Sequence, residues 1–198
     1  MMTNSRPLLR YLSHLVSAPI IATPVFVSLS ILEHAQAVHV LVAVVFASLL
    51  PLLGIVYFAR SEGLDYDVSE RRARGRPFVF AIASYVIGFL LLALSRAPTL
   101  VSGLMLAYSI NTSAMFLVTL FWKISVHAAG VTGPLTFLVF KLGLPWSFLY
   151  LLVVPVGLLR LRLRQHTLLQ VLAGAVLSAA LTWAEIILLV PLIPFARS

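Results

Sequence analysis

Cysteine is absent from the 198 residues, so neither a disulfide framework nor a thiolate metal site can form. Charge is scarce: Asp, Glu, Lys and Arg make up 10% of the chain, and only six residues are acidic. That scarcity excludes an ordinary soluble domain, a disordered tail and a coiled coil. What fills the chain instead is apolar, 61% hydrophobic residues with a mean hydropathy of +1.06. One spanning helix requires roughly 20 apolar residues, so the length accommodates about six or seven spans and no separate soluble domain. The expected fold is all-α, a polytopic transmembrane helix bundle forming one integral membrane domain over residues 1–198. The net charge of +8 then reports topology and an anionic ligand or lipid surface, and no nucleic-acid partner is expected.

Charge-free apolar runs predict helices near 13–32, 36–59, 77–95, 98–121, 125–140, 144–159 and 167–190. The fifth and sixth are short, and Ala97–Pro98 and Gly143–Pro145 read as tight reversals between antiparallel helices. Arg6 and Arg10 precede no small-residue cleavage site, so a removable signal peptide is not expected. If every run spans, the N-terminus, the 60–76 loop, the Lys123 junction and the 160–166 junction share one face. That face carries all of the Lys and Arg except Arg96, Lys141 and Arg197. The positive-inside rule places it in the cytoplasm. Arginines kept to hold a phosphate would produce the same asymmetry.

Three polar clusters return to this basic face. The longest runs from Ser61 to Pro77 and holds four of the six acids, with Arg71, Arg72, Arg74 and Arg76. Lys123, Ser125 and His127 stand where the fourth run meets the fifth, and Arg160, Arg162, Arg164, Gln165, His166 and Thr167 join the sixth to the seventh. Guanidinium forks, an ammonium, a hydroxyl and free helical N–H groups are what binding a phosphate requires. Taken alone, the Ser61–Pro77 stretch reads equally well as a solvated loop that sets topology.

In order and spacing the clusters resemble the type 2 phosphatidic acid phosphatase superfamily, membrane lipid phosphatases with haloperoxidase relatives. That family carries a Lys followed by Arg-Pro, then Pro-Ser-Gly-His, then Arg-x5-His-x3-Asp. Here the third motif matches as Arg160, His166 and Gln170 in the Asp position; the second as Ser125-Val126-His127; the first as Arg76-Pro77, with Ser69 where Lys is expected. An even number of expected spans separates successive motifs, and the resemblance covers roughly residues 60–178.

The resemblance implies that His166 attacks phosphorus to form a phosphohistidine and His127 protonates the leaving oxygen. It implies that Arg76, Ser125 and Arg160 bind the phosphoryl oxygens. No metal and no cofactor enters that scheme, and the implied partners are a lipid phosphate and the bilayer. Gln170 can accept a hydrogen bond from the nucleophilic ring but adds no charge, which in a triad carboxylate costs several powers of ten in rate. Lys123 has an auxiliary place, although a helix would rotate it about 200° from Ser125. Asp67 and Glu70 are the acids that return to the same face; with Asp65 they either hold Mg²⁺ against a diphosphate or orient the neighbouring arginines, and the second reading is preferred. Glu185, about 28 Å along the last helix from His166, is either a polar contact inside the bundle or a side chain reaching the far interface. Asn111, Thr112 and Ser113 read as helix-packing groups.

The leading expectation is therefore a lipid phosphatase acting on a diacyl or polyprenyl phosphate or diphosphate. A catalytically silent lipid-phosphate binder or transporter is the alternative that Gln170 favours. A polyprenyl transferase would need a second Asp-rich loop, which the sequence lacks. A membrane scaffold whose charges only set topology is the plainest reading.

Overall fold

The computed structural model describes residues 6–63, 70 and 72–193; Asp65, Asp67 and Ser69 lie outside the described residues. Every regular element among the described residues is helical. They are α1 (Arg6–Leu15), α2 (Ala18–Leu32), α3 (Ala37–Val44), α4 (Leu50–Glu62), α5 (Gly75–Leu94), α6 (Thr99–Phe121), α7 (Val126–Leu142), α8 (Val153–Arg162) and α9 (Leu168–Leu188). A π segment, Val45–Leu49, joins α3 to α4, and a 3-10 segment, Leu144–Leu152, leads into α8. Five helical stretches are long and apolar enough to cross a membrane, and six if α1 and α2 form one broken span.

The first apolar run is where sequence and structure differ most. It divides at Val16–Ser17, and the helices on either side are bent by 41°. Ser17 is extended and Pro19 sits in the first turn of α2, where a missing N–H costs nothing. In α1, Leu8, Tyr11, Leu12 and Leu15 form an exposed stripe at helical spacing, whereas Ser13 is fully buried. The helix thus turns its polar side to the protein and its apolar side outward.

The short helix α7 is the axis of the bundle, packed against α2, α6, α8 and α9. In hydrocarbon no water-driven force pulls helices together, so close backbones and interhelical hydrogen bonds do that work. Gly133 allows it: a Cβ there would fall 2.6 Å from Ser178 Oγ on α9. Thr132 Oγ1 donates to Ala175 O at 2.9 Å and Ser178 Oγ donates to Ala129 O at 3.0 Å. At the inner level of the bundle, Asn111 Nδ2 reaches Thr182 Oγ1 at 3.0 Å and the Glu185 carboxylate at 3.2 Å. Glu185 is only 4% exposed, so it is a polar contact inside the bundle and does not reach out to the interface.

Among the described residues, three helices end in a left-handed turn made without glycine. After α2, α5 and α8 the chain turns through His34, Arg96 and Arg164, each with a left-handed φ of 51–55°. Each turn closes with the paired bonds of a Schellman cap. Lys141 pairs with Glu33, and both stand at the C-terminal ends of their helices, α7 and α2, so these two helices run in the same direction. The starts of α2, α5, α7 and α9 and the ends of α4, α6 and α8 consequently gather on the basic face.

Candidate functional site

The corner between α8 and α9 sets the position of His166. Gln165 N–H donates to Arg160 O at 3.1 Å and Arg164 N–H to Leu161 O at 2.9 Å, which ties the turn to the last residues of α8. Next, α9 begins with a capping box: Gln170 N–H donates to Thr167 Oγ1 at 3.4 Å and Thr167 N–H donates to Gln170 Oε1 at 3.1 Å. The same Gln170 oxygen lies 3.2 Å from His166 Nδ1. An oxygen that accepts from one donor is also the acceptor for the ring, so Nδ1 carries the proton and Nε2 keeps its lone pair.

The start of α7 is locked onto this corner. Ser125 N–H donates to Gln170 O at 3.1 Å, and Gly174 leaves no room for a Cβ against Ser125 O. Ser125 Oγ accepts from Ala128 N–H at 3.3 Å as the N-cap of α7. Its hydroxyl therefore caps a helix, and His127 is presented one residue inside that helix.

Arginine placement differs from the sequence expectation. Arg76 is turned outward, its side chain 75% exposed and its Nη1 2.8 Å from Glu62 Oε1. Arg74 is buried, donates from Nη1 to Ile124 O at 3.3 Å, and lines the cavity described below. Two helical positions differ by about 200°, so of Arg74 and Arg76 only one can face the bundle. Arg160 is completely buried, and its Nη1 donates to Ser13 Oγ at 2.7 Å, drawing α1 onto the end of α8. Glu70 is exposed, and Asp67 lies outside the described residues.

A cavity of about 360 Å³ opens among these groups. Its mouth is lined by His14, Arg60, Arg74, His127 and His166. Below the mouth the walls are mainly apolar, with Leu52, Ile55, Phe78, Ala81 and Met115 beside the polar Asn111, Ser178 and Thr182, and Tyr85, Leu104 and Tyr108 bound the inner end. Burial first, and then the charges of Arg160, Arg74 and Lys123, push the His166 imidazole down to about 3, opposed by its hydrogen bond to Gln170. At neutral pH the ring is thus an uncharged base inside a cationic field. No group of three or more His, Cys, Asp or Glu among the described residues is arranged to hold a metal ion.

The structure brings His127 and His166 to one cavity and gathers Arg74, Lys123 and Arg160 around His166. Ser13 and His14 join the site from α1, which sequence reasoning had left aside. The signal was available: Arg10, Ser13 and His14 fall on the side of α1 opposite its Leu and Tyr stripe. No family model, no curated protein and no solved structure matches this chain.

Proposed function

We propose that this protein is a membrane lipid phosphatase of the type 2 phosphatidic acid phosphatase superfamily, hydrolysing a lipid phosphate or diphosphate at its basic face. The carrying observation is one cavity lined at its mouth by two histidines, the buried Arg74 and the exposed Arg60, with mainly apolar walls behind them. That polarity fits a ligand with an anionic head and an apolar tail. The topogenic charge bias favours a cytoplasmic mouth.

In this reading His166 Nε2 attacks phosphorus, and the bond from phosphorus to the lipid oxygen breaks. His127 gives its proton to the departing oxygen. Water, deprotonated by His127, then attacks the phosphohistidine and releases inorganic phosphate. Gln170 Oε1 holds the Nδ1 proton and with it the ring orientation. Arg74, Arg160 and Lys123 supply fixed positive charge where the transferring group gathers negative charge, and the buried site strengthens that attraction.

The second reading is a lipid-phosphate binder or transporter that does not turn over. Its support is specific: Gln170 stands where a carboxylate would stabilise the phosphohistidine. Among the described residues, the acids on this face are Glu62, engaged with Arg76, and Glu70, which is exposed.

The test is phosphate release by the detergent-solubilised protein from diacyl and polyprenyl mono- and diphosphates, with and without EDTA. The phosphatase reading expects EDTA-resistant release that falls at least a thousandfold in His166→Ala. Binding without release, unaffected by His166→Ala, transfers the conclusion to the binder.

A further inference from the structure

The inner part of the cavity has features that phosphate binding does not use. Its volume, about 360 Å³, is at the small end for organic ligand sites, a size that suits one extended chain. Its depth follows from α5: Arg74 and Tyr85 both line it, and Tyr85 is ten residues past Gly75, roughly 15 Å inside the basic face.

The inner end is also rigid. Tyr85 and Tyr108 meet edge to face with ring centroids 5.3 Å apart, and Tyr108 packs on Phe26 at 5.6 Å. Tyr85, Tyr108 and Leu104 are 3%, 7% and 1% exposed. Close-packed rings of this kind cannot swing aside for a few added methylenes.

We propose that the cavity is a ruler for a single hydrocarbon chain. An anionic amphiphile enters with its head at the mouth, and Tyr85, Leu104 and Tyr108 set the longest chain accepted. The head-group half of this statement rests on the function proposed above, whereas the ruler depends only on the walls and floor.

Selectivity of this kind has a distinctive signature in a membrane. Bilayer and cavity are both apolar, so each methylene that moves from one to the other gains little, in contrast to transfer from water. Affinity at equal mole fraction is therefore level for short chains and falls once the chain outgrows the cavity. Overpacking of one or two methylenes costs enough to weaken binding roughly tenfold.

The experiment is equilibrium binding of radiolabelled dodecyl phosphate and, separately, dodecanol to the full protein in phosphatidylcholine nanodiscs. Each is competed with n-alkyl phosphates or n-alkanols from octyl to octadecyl. We expect a length cutoff that moves to longer chains in Leu104→Ala and to shorter chains in Ala81→Phe, which fills the wall instead of emptying it. A flat profile in the wild type overturns the ruler, because the chain then stays in the bilayer. So does a cutoff that neither variant moves, a diacyl phosphate that competes as well as single-chain phosphates, or binding of neither probe. A cutoff seen equally with phosphates and alkanols keeps the ruler and removes the phosphate site; a phosphate preference without a cutoff does the reverse.

Discussion

Arg160 and Glu185 are both buried in this bundle, and they are handled differently. Arg160 is completely buried at the basic face, bonded to the hydroxyl of Ser13 and close enough to His166 to depress its basicity. Glu185 is buried deeper, with its carboxylate on the amide of Asn111. Asn111 and Thr182 stand between that carboxylate and the cavity, since both line it. Arg160 thus adds to the positive charge that Arg74 and Lys123 also bring to His166 beside the cavity. Glu185 accepts from the neutral amide of Asn111 on a neighbouring helix and contributes to packing. Like-charge crowding beside a cavity, more than burial itself, is what marks a binding site here.

Replacing each charge separates these roles. Arg160→Met keeps the volume and apolar contacts of the side chain and removes one cation from the site. Its affinity for dodecyl phosphate is expected to fall about a hundredfold, with the thermal midpoint nearly unchanged, because an apolar isostere at a buried charge is often neutral for the fold. A large loss of thermal stability with unchanged affinity would place Arg160 beside Glu185 as a structural charge.

Asn111→Leu gives the complementary result. It strands the Glu185 carboxylate among helices and is expected to cost about 2 kcal/mol of stability. The double variant with Glu185→Leu recovers most of that loss, because no buried charge is left unserved. The ratio of phosphate to alcohol affinity at the mouth stays as in the wild type. Failure of the double variant to recover stability would show that Glu185 has a role beyond its bond to Asn111.

Much of this architecture was legible in the sequence. Hydropathy located α5, α6 and α9 to within a few residues, because long apolar runs between charges have only one compact solution in a bilayer. The break at Ser17 was hidden because it lies inside an apolar run and Pro19 is compatible with a helix start. The ends of α2, α5 and α8 carry no glycine, so their left-handed caps at His34, Arg96 and Arg164 left no trace in composition. At the candidate site, the polar clusters pointed to His127 and His166, and the motif resemblance to Gln170. The choice of Arg74 over Arg76 depends on where α5 begins its turn, a boundary that sequence periodicity does not fix. The contact of Asn111 with Glu185 joins residues 74 apart, a distance over which periodicity carries no information.

The remaining expected effect is electrostatic and concerns His166 alone. Its folded imidazole is held at about 3 against an ordinary 6.5, so between those values the unfolded chain binds one proton more than the folded one. Stability therefore falls as pH falls: unchanged above 6.5, losing about 1 kcal/mol over the first pH unit below it, and levelling only near 3. Comparing thermal midpoints of the wild type and His166→Gln across this range isolates the contribution, since other acids titrate equally in both. Gln170→Glu preserves the capping box and places a carboxylate on Nδ1, so the folded ring takes up its proton at higher pH and the loss shrinks. The same charge stabilises a phosphohistidine, so under the phosphatase reading turnover rises on the order of tenfold. A raised imidazole pKa without faster release would leave the site electrostatically as described but make it a site that binds and does not react.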